Sequence, residues 1–257
     1  MKGRSIPLTP HRRIVIDMLR EASRIPTVPV QRVMCIRDLV EARAKQPRPH
    51  VSWTALFTWA MARVCLEMPV LRRVYLKHPW PRLYEYPGSV AAIALEAEQA
   101  GEPVVVFHTI RQPETLSLME IDEFVRRRKA LPPEKNLELR RLVALARWPV
   151  LVRRLVYLVG LNWGRQRAKY FGTFGVTSYA ALGAESLHPL SPATVTLTYG
   201  KIEDCGTVTA RMIYDHRVTD GAVIARALVL LEEYLNLAAQ QCVACPEFAE
   251  QVELCPN

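Results

Sequence analysis

The chain has 257 residues, of which half are apolar and 23% are charged, with a formal net charge of +9. This length is enough for one sizeable core, and no Gly-, Ser- or Pro-rich linker divides it, so we expect one domain over residues 1–257. The positive charge suggests an anionic partner, but no helix-turn-helix, zinc-finger or RNP-like pattern is present, which argues against nucleic acid.

The predicted helices and strands alternate irregularly along the chain, which indicates an α+β fold. Thr9 and Pro10 predict the start of a helix that runs to Ala22, and Ser52 predicts the cap of a long buried helix that runs to Leu66. Further helices are predicted over 38–45, 117–129 and 222–237. Strands are predicted over 28–36, 89–95, 103–110, 173–178, 194–199 and 207–214, and 79–88 is expected to be a loop or an irregular strand.

A helical insertion is predicted at about 136–170. Against the single acid Glu138, the segment carries the basic residues Arg140, Arg141, Arg147, Arg153, Arg154, Arg165, Arg167 and Lys169. Pro149 is expected to divide it into two helices. Its longest uncharged stretch, 155–164, is about half the ~20 residues that span a bilayer. Two interpretations stay open: helices that pack on the core or cover a substrate channel, with solvated arginines, or a basic amphipathic pair on an anionic membrane surface.

The cysteines predict core thiols and a terminal thiol cluster rather than a metal site. Cys35 and Cys65 lie in apolar runs typical of buried thiols. Cys242 and Cys245 form a lone CxxC followed by Cys255, without the second ligand pair of a zinc site. The polar N-terminus lacks the apolar core of a signal peptide, so we expect a reducing cytoplasm.

Residues 215–221, Asp-His-Arg-Val-Thr-Asp-Gly, carry the strongest chemical signal in the sequence. They place His216 in a short turn between a strand-like run and a helix-like run. A histidine with a carboxylate close by suits general-base chemistry near neutral pH. Asp220 can orient the imidazole, cap the following helix, or do both.

This motif resembles the His-x-x-x-Asp-Gly signature of the chloramphenicol acetyltransferase-like fold. Its Asp-His-Arg-x-x-Asp-Gly form is similar to that of the dihydrolipoamide acyltransferases of 2-oxo acid dehydrogenase complexes. Residues 172–178, Gly-Thr-Phe-Gly-Val-Thr-Ser, are similar to that family's Gly-Thr-Phe-Thr-(Ile/Leu)-Ser-Asn. Weaker matches lie at 12–26 and 52–71. The resemblance covers roughly residues 9–128 and 170–238.

The resemblance implies a mixed sheet flanked by helices and an acyltransferase whose general base is His216. Thr177 stands where the family has the serine whose hydroxyl stabilises the tetrahedral intermediate, with Ser178 as the alternative if the register shifts by one. Asp220 and Gly221 complete the motif.

The resemblance also implies that an N-terminal arginine, Arg13 or Arg12, pairs with Asp220. It implies an active site between the subunits of a homotrimer, or of a multiple of trimers. A coenzyme A thioester is the expected substrate, with no covalently bound cofactor and no metal.

The chain departs from the family in its substrate machinery. We expect neither a lipoyl domain nor a subunit-binding domain in it, and residues 101–105, Gly-Glu-Pro-Val-Val, replace the family's channel-lining Gly-Leu-x-x-Pro-Val. We therefore expect acyl transfer from a coenzyme A or carrier-protein thioester to an unidentified nucleophile. Two alternatives stay open: a core subunit that accepts lipoyl domains of a lipoylated protein in trans, and a non-catalytic acyl-binding scaffold.

Overall fold

The computed structural model describes residues 3–46, 48–99 and 101–243. The helices are α1 Pro10–Ala22, α2 Arg37–Ala44, α3 Trp53–Glu67, α4 Leu118–Lys129, α5 Leu137–Ala146, α6 Val150–Asn162, α7 Gly164–Phe171 and α8 Gly221–Val243. The strands are β1 Thr27–Cys35, β2 Arg73–Leu76, β3 Arg82–Glu85, β4 Val90–Gln99, β5 Glu102–Arg111, β6 Phe174–Thr177, β7 Val195–Tyr199 and β8 Thr207–Asp215.

Six of the strands form one mixed sheet in the order β1-β8-β7-β6-β4-β5. The β4–β6 and β6–β7 pairs are parallel, and the other pairs are antiparallel. The strands β2 and β3 form a separate antiparallel pair. The predicted α+β class is confirmed.

The main core lies between this sheet and the helices α3 and α8. Helix α3 starts where predicted, since the Ser52 hydroxyl accepts a hydrogen bond from the Ala55 N–H at 3.2 Å. Most of its side chains are buried, because α3 is apolar all round and packs on several sides. Phe57 on α3 stacks on Tyr199 of β7, with ring centroids 3.9 Å apart.

The insertion forms three helices, α5, α6 and α7, rather than the two predicted. Pro149 marks the first break, and a second falls at Trp163, whose extended backbone ends α6. A Cβ on Gly164 would lie 3.0 Å from the Tyr84 ring, and the Tyr86 hydroxyl donates to the Gly164 carbonyl at 2.8 Å. Packing of Gly164 on Tyr84 and Tyr86, which are distant in sequence, therefore determines the break between α6 and α7. The local sequence does not predict it.

The expectation that the insertion's arginines are all solvated is wrong for two of them. Arg153 on α6 is buried, and its Nε donates to the buried carboxylate of Asp17 on α1 at 2.6 Å. Arg167 on α7 is buried and donates to the carbonyls of Tyr75 and Pro192; burial lowers the pKa of Arg167 to about 10. The insertion thus packs on the fold, as the first interpretation expects, but it does so through two buried guanidinium groups.

Two other expectations need correction. The sequence predicted no strand at β2, and part of the 79–88 segment is the regular strand β3, paired with β2. Cys35 is exposed rather than buried, because β1 is an edge strand on which Met34 points into the core and the next residue points away. Cys65 is buried as predicted.

The side chains of Cys242, Cys245 and Cys255 lie outside the described residues. Within the described ranges, no helix is long and apolar enough to cross a membrane.

Candidate active site

The Asp-His-Arg-Val-Thr-Asp-Gly motif is a tight turn between β8, which ends at Asp215, and α8, which begins at Gly221. The His216 N–H donates to the Pro26 carbonyl at 3.0 Å, and the Val218 N–H donates to the Asp215 carbonyl at 3.0 Å. The predicted strand–turn–helix context of the motif is therefore present. These backbone hydrogen bonds fix the position of the His216 backbone and therefore of its Cβ atom.

His216 and Asp220 approach each other at the surface of this turn. The His216 Nδ1 lies 3.7 Å from the Asp220 Oδ1, and the two side chains are 47% and 81% exposed. This distance is longer than a hydrogen bond, so the pair interacts through charge when the imidazole is protonated. The Asp220 backbone carbonyl accepts the first helical N–H groups of α8, from Val223 and Ile224. Its carboxylate thus faces His216.

Below the surface, Asp215 and Arg217 hold the turn. Asp215 is fully buried and accepts two hydrogen bonds from the Arg217 guanidinium, at 2.9 and 2.7 Å, and one from the Arg217 N–H at 3.0 Å. The guanidinium also stacks over the Tyr75 ring at 4.5 Å. The Arg217 guanidinium is therefore bound within the protein, and its role is structural.

Sequence reasoning missed the charge interaction between Arg167 and Asp215. The charge of Asp215 raises the pKa of Arg167, against the larger lowering by burial. The only sequence signal was one arginine among the basic residues of a short polar helix, α7, where the sequence does not distinguish it from its exposed neighbours Arg165 and Lys169. The charge of Asp215 thus acts on the insertion as well as on the histidine turn.

Thr177 and Ser178 differ in how their hydroxyls are used. The Ser178 hydroxyl donates to the Tyr199 carbonyl at 2.8 Å and accepts from the Ala180 N–H at 3.1 Å. In the described part of the chain, the Thr177 hydroxyl makes no hydrogen bond, and Thr177 lines a cavity. Thr177 is therefore the better placed of the two to donate to a ligand.

This cavity has a volume of about 350 Å³ and lies between α1, α7 and the sheet. Phe107, Phe171 and Met18 give it an apolar wall, and His11 and Arg12 stand at its polar side. Desolvation lowers the pKa of His11. The size and the mixed lining are typical of a small-molecule site.

Two glycines shape the strand that carries Thr177. Gly172 has φ +74°, and a Cβ there would lie 2.8 Å from the Val90 carbonyl oxygen, so only glycine fits where the chain enters β6. Gly175 lines the cavity, and a Cβ at this position would lie 3.3 Å from the Thr196 hydroxyl.

The fold separates Thr177 from His216 within one chain. Thr177 pairs with Thr198 of β7, and Thr198 pairs with Arg211 of β8, five residues before His216. Five residues of strand span about 17 Å, and the two side chains are two strands apart as well. One chain therefore brings His216 to Asp220 but not to Thr177.

The N-terminal arginines lie away from the motif carboxylate. Arg12 lines the cavity beside Thr177, and Arg13 is exposed on α1. Within the residues described, Asp220 has His216 as its charged partner and pairs with neither arginine. Gly221 begins α8, where a Cβ would lie 3.3 Å from the Tyr214 hydroxyl. No three His, Cys, Asp or Glu side chains converge as metal ligands in the described chain.

No protein-family model matches the chain, and no curated protein matches it in sequence. Solved structures do match it in fold. A probable dihydrolipoamide acetyltransferase from Listeria monocytogenes superposes with a TM-score of 0.67 at 16% identity, over 91% of this chain and 95% of that one. The Azotobacter vinelandii dihydrolipoamide acetyltransferase gives 0.68 at 17% identity, over 93% and 94%. A chloramphenicol acetyltransferase gives 0.50 at 15% identity, over 86% and 94%. The chain therefore has the chloramphenicol acetyltransferase-like fold, a mixed sheet flanked by helices, with a helical insertion before β6.

Proposed function

We propose that the chain is an acyltransferase that moves an acyl group from a coenzyme A or carrier-protein thioester to a nucleophile. The observation that carries the proposal is the His216–Asp220 pair at the end of β8, in a fold shared with enzymes named as acetyltransferases. The Azotobacter enzyme offers a closer parallel, since a serine, a histidine and an asparagine four residues after it are named in its catalytic mechanism. In this chain we assign Thr177, His216 and Asp220 to the positions of that serine, histidine and asparagine.

In the proposed step, His216 Nε2 takes the proton of the acceptor, and the acceptor atom attacks the thioester carbonyl carbon. The carbonyl oxygen becomes an oxyanion, to which the Thr177 hydroxyl of a neighbouring subunit donates. The carbon–sulfur bond then breaks, and the leaving thiolate takes the proton from His216. Asp220 lies beside the His216 ring and orients it.

The separation of Thr177 from His216 supports a site between two copies of the chain. A reacting carbonyl needs both groups within hydrogen-bond reach, and about 17 Å within one chain excludes that. We propose a homotrimer, in which each cavity beside Thr177 opens toward the His216 turn of the next subunit. Arg12, at the polar side of that cavity, is then a candidate for the next subunit's Asp220 or for a substrate phosphate.

The test is thiol release from acyl-CoA donors, from acetyl to palmitoyl, with dihydrolipoamide, simple alcohols and amines as acceptors. His216→Ala is expected to lower the rate by about 10²–10⁴-fold. His50→Ala, which changes a histidine outside the motif, serves as the matched control and is expected to keep the wild-type rate. Turnover that His216→Ala retains, or the lack of turnover with every donor, would instead support an acyl-binding scaffold.

A second candidate is a core subunit that uses lipoyl domains made by another chain. The higher TM-scores to dihydrolipoamide acetyltransferases than to the chloramphenicol enzyme favour it. Under this candidate, dihydrolipoamide or a lipoylated domain is the preferred acceptor in the panel, and a lipoylated protein co-purifies with the chain.

A further inference from the structure

Helix α6 presents its apolar side to solvent. Its buried side consists of Arg153, Tyr157 and Leu161, which are spaced four residues apart. The opposite side, here named the outer face, consists of the exposed residues Leu151, Val152, Leu155, Val156, Leu158 and Val159. A helix on a protein surface normally places polar residues outward. A contiguous apolar face of this kind marks an interaction surface.

The charges around the outer face are positive. Arg147 and Arg154 are exposed beside it, and Arg165 is exposed just beyond its end. The sequence contains no Asp or Glu between residues 139 and 184. A second copy of this face would bring guanidinium groups against guanidinium groups in a chain of net charge +9, which disfavours self-association through it. The occupant that fits is apolar in its interior and anionic at its boundary.

Tryptophans stand at both ends of the same helix. Trp148 precedes α6 and Trp163 follows it, and both are more than half exposed. Tryptophan prefers the boundary between the apolar interior of a bilayer and its headgroups. A 13-residue helix is about 20 Å long, so the two tryptophans mark the ends of an apolar face of that length.

An open groove continues the surface beyond Trp163. It holds about 550 Å³ and is lined in part by Arg82, Arg165 and His78. The Asn162 side chain and the His78 N–H join its two walls by a 3.3 Å hydrogen bond. None of the described residues lining it is acidic. It therefore provides space and positive charge next to the Trp163 end of the outer face.

We propose that the outer face of α6 docks this protein on an anionic membrane surface, with the helix parallel to the bilayer and its arginines against the headgroups. The interaction is peripheral. It goes beyond the proposed acyl transfer and does not depend on it.

Flotation with phosphatidylcholine vesicles, with and without phosphatidylglycerol, tests this proposal in the full-length protein. The wild type is expected to float with the phosphatidylglycerol vesicles, and rising salt is expected to weaken binding. Leu155→Glu and Leu151→Glu are each expected to weaken binding by at least about tenfold, since each replaces an inserted leucine with a charge. Leu66→Glu at the end of α3 is the matched control, because Leu66 is 50% exposed and Leu155 is 58% exposed.

Three results would overturn the proposal. One is a wild type that binds no phosphatidylglycerol vesicles, or binds neutral vesicles equally well. Another is a Leu155→Glu protein that floats like the control. The third is a change of oligomeric state in Leu155→Glu, measured by sedimentation, which would make the outer face an interface between copies. Far-UV circular dichroism establishes that each variant is folded.

Discussion

At the scale of single residues, the histidine turn contains two aspartates with different tasks. Asp215 is fully buried beneath the guanidinium of Arg217 and near that of Arg167. Asp220 is exposed and faces the imidazole of His216. The motif alone does not distinguish them, because both are acids beside a turn. Burial assigns the first to stability and the second to the proposed chemistry.

We therefore expect opposite effects from substituting them. Asp215→Asn leaves the Arg217 guanidinium without its anionic partner, and it should lower the free energy of unfolding by about 3 kcal/mol, measured by urea denaturation. Asp220→Ala removes an exposed carboxylate and should change that free energy by less than about 0.5 kcal/mol while lowering acyl-CoA turnover. Equal stability of the two variants would contradict this assignment.

At the scale of elements, the insertion is attached to α1 by a buried ion pair between Asp17 and Arg153. Removing one partner of such a pair leaves an uncompensated charge in the interior. Replacing both partners with apolar residues of similar volume often leaves the stability unchanged. Asp17→Ala should therefore cost about 3–5 kcal/mol of unfolding free energy. The double variant Asp17→Leu with Arg153→Met should recover most of that loss in the same denaturation experiment. A double variant as unstable as the single one would show that the pair itself is required.

A second contact of the insertion gives a pH dependence. His108 on β5 is buried, 3.6 Å from the Glu138 carboxylate at the start of α5, and desolvation lowers the pKa of His108 despite that carboxylate. The unfolded chain then binds a proton more readily, so stability is full above about pH 6.5 and falls as pH drops toward the lowered pKa. His108→Gln should flatten this acid side of the melting-temperature profile, and His50→Gln should not. Parallel profiles for His108→Gln and the wild type would refute the link.

The elements that the sequence predicted well are those with local signals. The start of α1 is predicted by the cap Thr9 followed by Pro10, and the start of α3 is predicted by the cap Ser52. Both helices begin there in the structure. The second break in the insertion was missed because it depends on Tyr84 and Tyr86, about eighty positions away. Strand β2 was missed because it is only four residues long and begins with an arginine. The histidine motif identified its own turn, whereas the buried contacts of Arg167 required the tertiary structure.

At the scale of the whole molecule, the proposed chemistry needs more than one chain. The sheet places the His216 turn and Thr177 near opposite ends of its central strands. No sequence motif reports this separation, since residues 177 and 216 both lie in matched blocks of one chain. We therefore propose that each active site takes its histidine from one copy of the chain and its threonine from another.

Complementation between two inactive variants tests whether the active site is shared between copies. Chains carrying His216→Ala and chains carrying Thr177→Ala are co-expressed with different tags, and assemblies that hold both are isolated by two affinity steps. Each variant alone should lose about 10²-fold or more of its acyl-CoA turnover. Every mixed trimer contains one interface with both wild-type groups, so the mixture should recover about one third of wild-type turnover. Mixed assemblies that stay as inactive as the parent variants would contradict a site shared between subunits.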